Sequence, residues 1–290
     1  MGKESSLKIK NFELGNLILG VAEDIGPRIL KLALKETPDK NLFGVLPDAG
    51  VETEEGFWHI YGGHRLWTSP EAMPRSYSMD NKPVKIETGK GYVRIYGGPE
   101  IQNSVQKEIE IRCKGKTHLA VRHRIKNIGR WNIKLACWAL SVMRTGGFAI
   151  IPIKAGKKGL LPDRRISLWP YTHLSDNRLI LEDDIIFVKQ DQNAKYPFKI
   201  GTRARPCRTG YWVDGHLFVK EFQEMPGKYP DFGCSVEVYT NPSFLELETL
   251  SPLREVEPGQ YIEHIEIWRI EKVPVLFPSS RELKKRGVVI

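Results

Sequence analysis

The sequence predicts an all-β protein, a large single-domain antiparallel β-sandwich. Three observations predict it. Short segments that alternate apolar and polar residues recur along the chain, turn residues separate them at hairpin spacing, and no helix of convincing length interrupts them. Residues 16–21 are apolar with a strand bias, and 29–34 follow the Gly26-Pro27 break. Segments 84–87 and 92–96 flank Thr88-Gly89-Lys90-Gly91, and 106–112 and 118–126 flank a second hairpin connection at 113–117. Ile128-Gly129-Arg130 then turns the chain into 132–143.

The second half continues the rhythm. Segments 179–182 and 185–189 surround Asp183-Asp184. Segments 211–213 and 216–222 surround Asp214-Gly215, a two-residue sequence suited to a tight hairpin turn. Strands are expected at 235–240, 244–249 and 260–270, the last two joined through Glu257-Pro258-Gly259. Residues 156–176 read as a long surface excursion, and long loops in compact domains often carry function. The expected unit is one domain over residues 1–290, with its core at about 10–272 and a tail at 273–290. In that tail Ser279 or Ser280 could cap a short helix over 280–286.

The densest chemistry lies in Tyr61-Gly62-Gly63-His64-Arg65-Leu66-Trp67-Thr68-Ser69-Pro70-Glu71. His64 can carry a proton near neutral pH, and Arg65 offers a rigid fork of donors. Trp67 supplies a flat apolar face on which a sugar ring can lie, and Glu71 adds an acceptor. On its own the stretch also reads as a loop whose aromatics plug the core and whose charges pair with one another. The second cluster is Phe244-Leu245-Glu246-Leu247-Glu248-Thr249. In a strand, Leu245, Leu247 and Thr249 face one way and Glu246 and Glu248 the other, the two carboxylates roughly 7 Å apart. On a solvent face these are ordinary polar positions. On a cavity face one of them becomes a general base.

Composition and spacing restrict the other classes. The net charge of +9 invites a nucleic-acid reading, with basic clusters at 154–158, Arg164-Arg165, 203–208 and 281–286. No helix carries a basic stripe and no RNA-binding signature appears, so nucleic acid is not the expected partner; a basic surface suited to anionic small molecules is. Cys113, Cys137, Cys207 and Cys234 form no C-x-x-C pair and are expected as reduced thiols. The seven histidines show no metal spacing, and no phosphate loop or dinucleotide fingerprint is present. Neither a metal nor a cofactor is therefore expected. No apolar run approaches the ~18 residues of a membrane span. Residues 1–6 are charged, without the apolar stretch of a leader. The expected setting is cytoplasmic.

As a whole the sequence resembles the galactose mutarotase-like, or aldose 1-epimerase-like, β-sandwich superfamily, in an uncharacterised branch. The resemblance runs from about Leu17 to Ile270. Ile25-Gly26-Pro27-Arg28-Ile29-Leu30 is similar to the group's early strand before the sugar cleft, and Gly63-His64-Arg65-Leu66-Trp67 sits where these enzymes carry a sugar-facing arginine. Residues 119–138 are similar to the central hairpin. Leu247-Glu248-Thr249 resembles the segment that supplies the catalytic glutamate, and Val256-Glu257-Pro258-Gly259 with His264 and Trp268 the closing hairpin.

The resemblance implies a sugar ligand, and the basic surface leaves room for an acidic or phosphorylated sugar, since arginine forks match such groups. Glu248 would be the general base, Glu246 its understudy, and His64 a source of the acid. Arg65, Trp67, Glu71, Arg28, Trp138 and Lys199 would bind substrate. The family's general-acid histidine is expected after the central hairpin, but residues 136–144 contain none, leaving His64 or His173 to substitute. Two functions follow: an aldose or sugar-phosphate 1-epimerase-like isomerase, and a non-catalytic carbohydrate-binding or scaffolding module of the same fold.

Overall fold

A computed structural model describes residues 7–156 and 159–290. The leader reading at residues 1–6, and Lys157 and Lys158 of the 154–158 basic cluster, lie outside the described residues. Two ten-stranded sheets, antiparallel throughout their recorded pairings, face each other across one continuous apolar core that draws residues from Leu14 to Ile270. The predicted β-sandwich is the observed architecture.

The first sheet places its strands in the order Ile9–Leu14, Leu17–Ala22, Arg28–Leu34, His64–Ser69, Ile133–Met143, Leu245–Leu250, Val236–Thr240, Phe198–Thr202 and Ile166–Leu168, with Arg254–Val256 also paired to Ile133–Met143. The second runs Leu179–Leu181, Ile185–Lys189, Phe148–Pro152, Arg208–Val213, His216–Phe222, Tyr261–Lys272, His118–Asn127, Val105–Cys113, Tyr92–Glu100 and Lys85–Gly89. The hairpins expected around 88–91, 113–117, 183–184 and Asp214-Gly215 form, the last with φ values of 48° and 78° that fit a turn following the sheet twist. The expected central and closing hairpins do not: the turns at 128–130 and 257–259 carry the chain from one sheet to the other, so His118–Asn127 and Ile133–Met143, like Leu245–Leu250 and Tyr261–Lys272, lie in opposite sheets. The tail helix spans Ser280–Lys285, with Ser279 at the N-cap position but no side-chain capping bond.

The structure departs from these expectations, or adds to them, in three places. The glycine-rich stretch is no loop: Gly56–Gly62 and His64–Ser69 are strands, broken at Gly63. Tyr61, Gly62 and Gly63 all have positive φ (51°, 83° and 69°), and a Cβ on Gly63 would stand 2.2 Å from the Ile29 carbonyl oxygen. Only glycine permits that close approach. Second, a ribbon formed by Val45–Thr53 and Gly56–Gly62 lies on the outer face of the first sheet, packing Trp58 and Ile60 on Trp67, Trp138, Leu140 and Val142. Third, the surface excursion at 156–176 contributes the edge strand Ile166–Leu168 to that sheet. The first sheet is thus covered on both faces, by the core within and by the ribbon and loops without.

Candidate functional site

Pairing register carries the outer face of the first sheet into rows, because directly opposed residues of neighbouring strands share a face. One row reads Arg28, Arg65, Leu140, Glu248, Glu237 and Gly201. The next reads Val142, Glu246, Tyr239 and Lys199, and a third joins Trp67, Trp138 and Leu250. The alternation expected at Leu245–Thr249 holds: Leu245 and Leu247 enter the core, while Glu246 and Glu248 stand on the outer face. That face is covered, and Glu248 is fully buried.

Two ion-pair systems occupy it. Arg65 Nη2 donates to Glu246 Oε1 at 2.8 Å, and its guanidinium lies 4.6 Å from the Trp67 ring centre and 5.4 Å from that of Trp58. Lys199 Nζ lies 2.9 Å from Glu237 Oε2 and 3.1 Å from Glu248 Oε2, and Trp138 Nε1 donates to the same Glu248 oxygen at 2.7 Å. The Lys199 ammonium sits between the rings of Trp138 and Trp169, 4.6 and 4.7 Å from their centres. Gly201 makes room for this arrangement, since a Cβ there would meet Glu237 Cγ at 3.0 Å and the Trp169 ring at 3.3 Å.

Electrostatics follow from burial. Desolvation raises Glu237 well above the ordinary carboxylate value, with Lys199 opposing and Glu248 adding to the rise. Desolvation also raises Glu248, against the pull of Lys199. Burial works against the charge on Lys199, but Glu237 and Glu248 outweigh it and hold its pKa well above the usual lysine value. Two carboxyls thus share one ammonium in a buried site. Glu248 Oε1 and Glu237 Oε1 are buried without a hydrogen-bond partner.

In front of Lys199 opens a cavity of about 430 Å³ lined by Glu71, Ala72, Met73, Tyr77, Trp138, Trp169, Lys199 and Asp231. Tyr77 Oη donates to Glu71 Oε1 at 2.5 Å. Of the residues expected at a binding site, Glu71, Trp138 and Lys199 line this cavity. Arg65, Trp67, Glu246 and Glu248 stand on the same face of the sheet without lining it. Arg28 shares the face, but its guanidinium is spent on the Ile60 and Gly62 carbonyls, both at 2.8 Å, and on Asp80 at 2.5 Å. It clamps the ribbon strand to the sheet and does not line the cavity.

His64 is the principal correction. Its strand alternates from Gly63, so Arg65 and Trp67 face outward and His64 faces the core. There it is fully buried. His123 Nδ1 sits 3.0 Å from the His264 carbonyl, which requires a proton on Nδ1 and leaves His123 Nε2 as an acceptor. His64 Nε2 therefore donates to His123 Nε2 at 2.7 Å, and Ser141 Oγ donates to His64 Nδ1 at 2.8 Å. Desolvation, with Lys220 and His123 nearby, holds the His64 pKa well below the usual histidine value. A neutral histidine on the far side of the sheet supplies no proton to the cavity. His173 is exposed on the 169–176 loop and is not among the cavity-lining residues.

The same core network contains the only metal-like grouping among the described residues, His64, His123 and Glu266, whose ligand atoms lie within 4.8 Å of one another. Those atoms already have protein partners: Trp268 Nε1 donates to Glu266 Oε2 at 2.6 Å, and Lys220 Nζ is 3.0 Å from Glu266 Oε1. The grouping reads as an internal hydrogen-bonded network that joins the two sheets. Sequence reasoning passed over Glu237, Trp169 and Asp231. The alternation Val236-Glu237-Val238-Tyr239 held the first of these in view, since Glu237 opposes Glu248 directly.

Comparison with known proteins bears on the fold. No family model matches the chain, and no curated protein matches it. Solved structures do. The Slr1438 protein of Synechocystis sp. PCC 6803 aligns at a TM-score of 0.61 and 10% identity, over 94% of this chain and 98% of its own. A galactose mutarotase-like protein from Lactobacillus casei ATCC 334 aligns at 0.56 and 9% identity, over 91% and 100%. A galactose mutarotase related enzyme from Lactobacillus acidophilus aligns at 0.55 and 9% identity, over 92% and 98%. At these identities the likeness establishes the galactose mutarotase-like fold. No helix among the described residues is long and apolar enough to cross a membrane.

Proposed function

We propose that the protein binds a carbohydrate in the cavity before Lys199 and isomerises it at the anomeric carbon, with Glu248 as general base. The observation that carries this reading is the Glu237–Lys199–Glu248 group directly behind a cavity walled by Trp138 and Trp169. Indole faces suit the apolar face of a sugar ring, and the polar rim suits its hydroxyls. Anomer exchange needs a base for the anomeric hydroxyl proton and an acid for the ring oxygen, after which the C1–ring-oxygen bond opens and recloses on either face. Glu248, with one oxygen held by Trp138 and Lys199 and the other without a partner, fills the first role. Glu237, whose pKa burial holds well above the carboxylate range, takes the acid role left by the missing histidine. The mutarotase-like names of structural neighbours agree with a sugar ligand.

A non-catalytic carbohydrate-binding module is the second reading. It is favoured by the complete burial of Glu248 and Glu237, with Lys199 rather than either carboxyl lining the cavity. Exchange NMR of aldose anomers with wild type and Glu248→Gln, alongside calorimetric binding, separates the two. Faster exchange lost in the variant supports the isomerase, binding without exchange supports the module, and no binding of any aldose or sugar phosphate removes both.

A further inference from the structure

The charge around the cavity narrows the ligand class, an inference that rests on the carbohydrate reading above. Its charged lining residues are Glu71, Asp231 and Lys199. Lys199 is already claimed by Glu237 and Glu248, and the other nearby buried cation, Arg65, is claimed by Glu246 and covered by Trp58 and Trp67. Five carboxyl groups therefore stand against two ammonium or guanidinium groups. Paired in this way, Lys199 brings no net positive charge to the lining, whose other charged groups are the Glu71 and Asp231 carboxylates. Arg165 and Arg75 donate to the Phe232 and Pro70 carbonyls near the rim and keep their charges, but neither lines the cavity. The overall charge of +9 acts from farther away and is screened beyond roughly 10 Å, so the local carboxylates decide.

The backbone at Asp231 is built to hold its side chain at the rim. Asp231, Phe232 and Gly233 have successive positive φ values of 49°, 61° and 97°, a costly conformation for the first two. It is pinned by Ser167 Oγ donating to the Asp231 carbonyl at 3.0 Å, Arg165 Nη1 to the Phe232 carbonyl at 2.8 Å, and the Gly233 amide to the Pro230 carbonyl at 2.7 Å. The Asp231 carboxylate accepts no hydrogen bond from the described residues. Glu71, steadied by Tyr77, faces the same cavity.

We propose that this cavity selects uncharged and amino-bearing sugars and rejects phosphorylated and carboxylated ones, with Asp231 and Glu71 as the specificity-determining residues. The proposal narrows the sugar-phosphate expectation drawn from the basic composition. Two matched quartets test it by calorimetry at low salt: glucose, glucosamine, glucose 6-phosphate and glucuronate, and the corresponding galactose set. In the quartet that binds, the phosphate and uronate should be at least tenfold weaker than the parent sugar. The amino sugar should be at least threefold tighter, a gain lost at high salt. Asp231→Asn with Glu71→Gln should shrink the parent-to-phosphate ratio below threefold. A phosphate or uronate that binds as tightly as the parent, or tighter, overturns this proposal and leaves carbohydrate binding standing. Failure of all eight probes to bind overturns the carbohydrate reading and the selectivity with it.

Discussion

The Lys199 ammonium lies 3.1 Å from Glu248 although a third strand, Val236–Thr240, separates their own. The long lysine side chain crosses that strand and meets Glu237 on the way, at 2.9 Å. One cation therefore restrains two buried carboxyls that would otherwise repel.

Removing that cation should be costly. Lys199→Met leaves Glu237 and Glu248 facing each other without compensation, a change expected to lower stability by about 3–5 kcal/mol at neutral pH. The loss should shrink in acid. A carboxyl with a raised folded pKa contributes stability that is complete below its unfolded pKa of about 4.3 and is lost as pH rises through the folded value. Denaturant melts of the variant at pH 5 and pH 8 check the sign; a larger deficit at pH 5 would contradict it.

Glu248→Gln keeps the shape and one acceptor for Trp138 and Lys199 while removing the base. Anomer exchange should fall by about 10²–10⁴-fold, the usual contribution of a positioned acid or base. Full exchange activity in the variant would move the base elsewhere.

The core network predicts acid sensitivity. Burial lowers His264 to about 3, so the folded protein keeps it neutral while the unfolded chain takes up a proton below about 6.5. His64 shifts in the same direction. Stability should thus fall as pH drops from about 6.5 toward 3, by about 1.4 kcal/mol per pH unit for each histidine. Glu266 has its pKa lowered to about 2; burial opposes that shift, but the Lys220 ammonium beside it outweighs it. Its contribution is present above its unfolded pKa and is lost between about 4.3 and 2, in the same sense. Melting temperatures across this range give the slope, and His264→Asn should flatten it.

Gly63→Ala tests the kink that sets the phase of the Arg65 strand. With φ at 69° and the Ile29 oxygen 2.2 Å from the new Cβ, the substitution should destabilise by more than about 1 kcal/mol. An unchanged melt would show that the kink relaxes freely.

Much of the architecture was legible in the chain. Alternation at 244–249 gave the two faces of that strand, and Asp214-Gly215 gave a hairpin, because side-chain parity and turn chemistry are local properties. Parity also put Glu246 and Glu248 together, but could not say whether their face met water or cover. The strand at 64–69 was misjudged because three consecutive left-handed residues, Tyr61 to Gly63, restart the alternation, so no pattern before the kink predicts that His64 turns inward and Arg65 outward.

The sequence by itself therefore determined an antiparallel sandwich and the two faces of the strand at 244–249. Only tertiary structure decided that Arg65 reaches Glu246, 181 positions away, that Lys199 joins Glu237 to Glu248, and that a ribbon and a loop bury this face. The physical reason is that register between strands distant in sequence is fixed by packing across the whole sheet, which no single segment encodes.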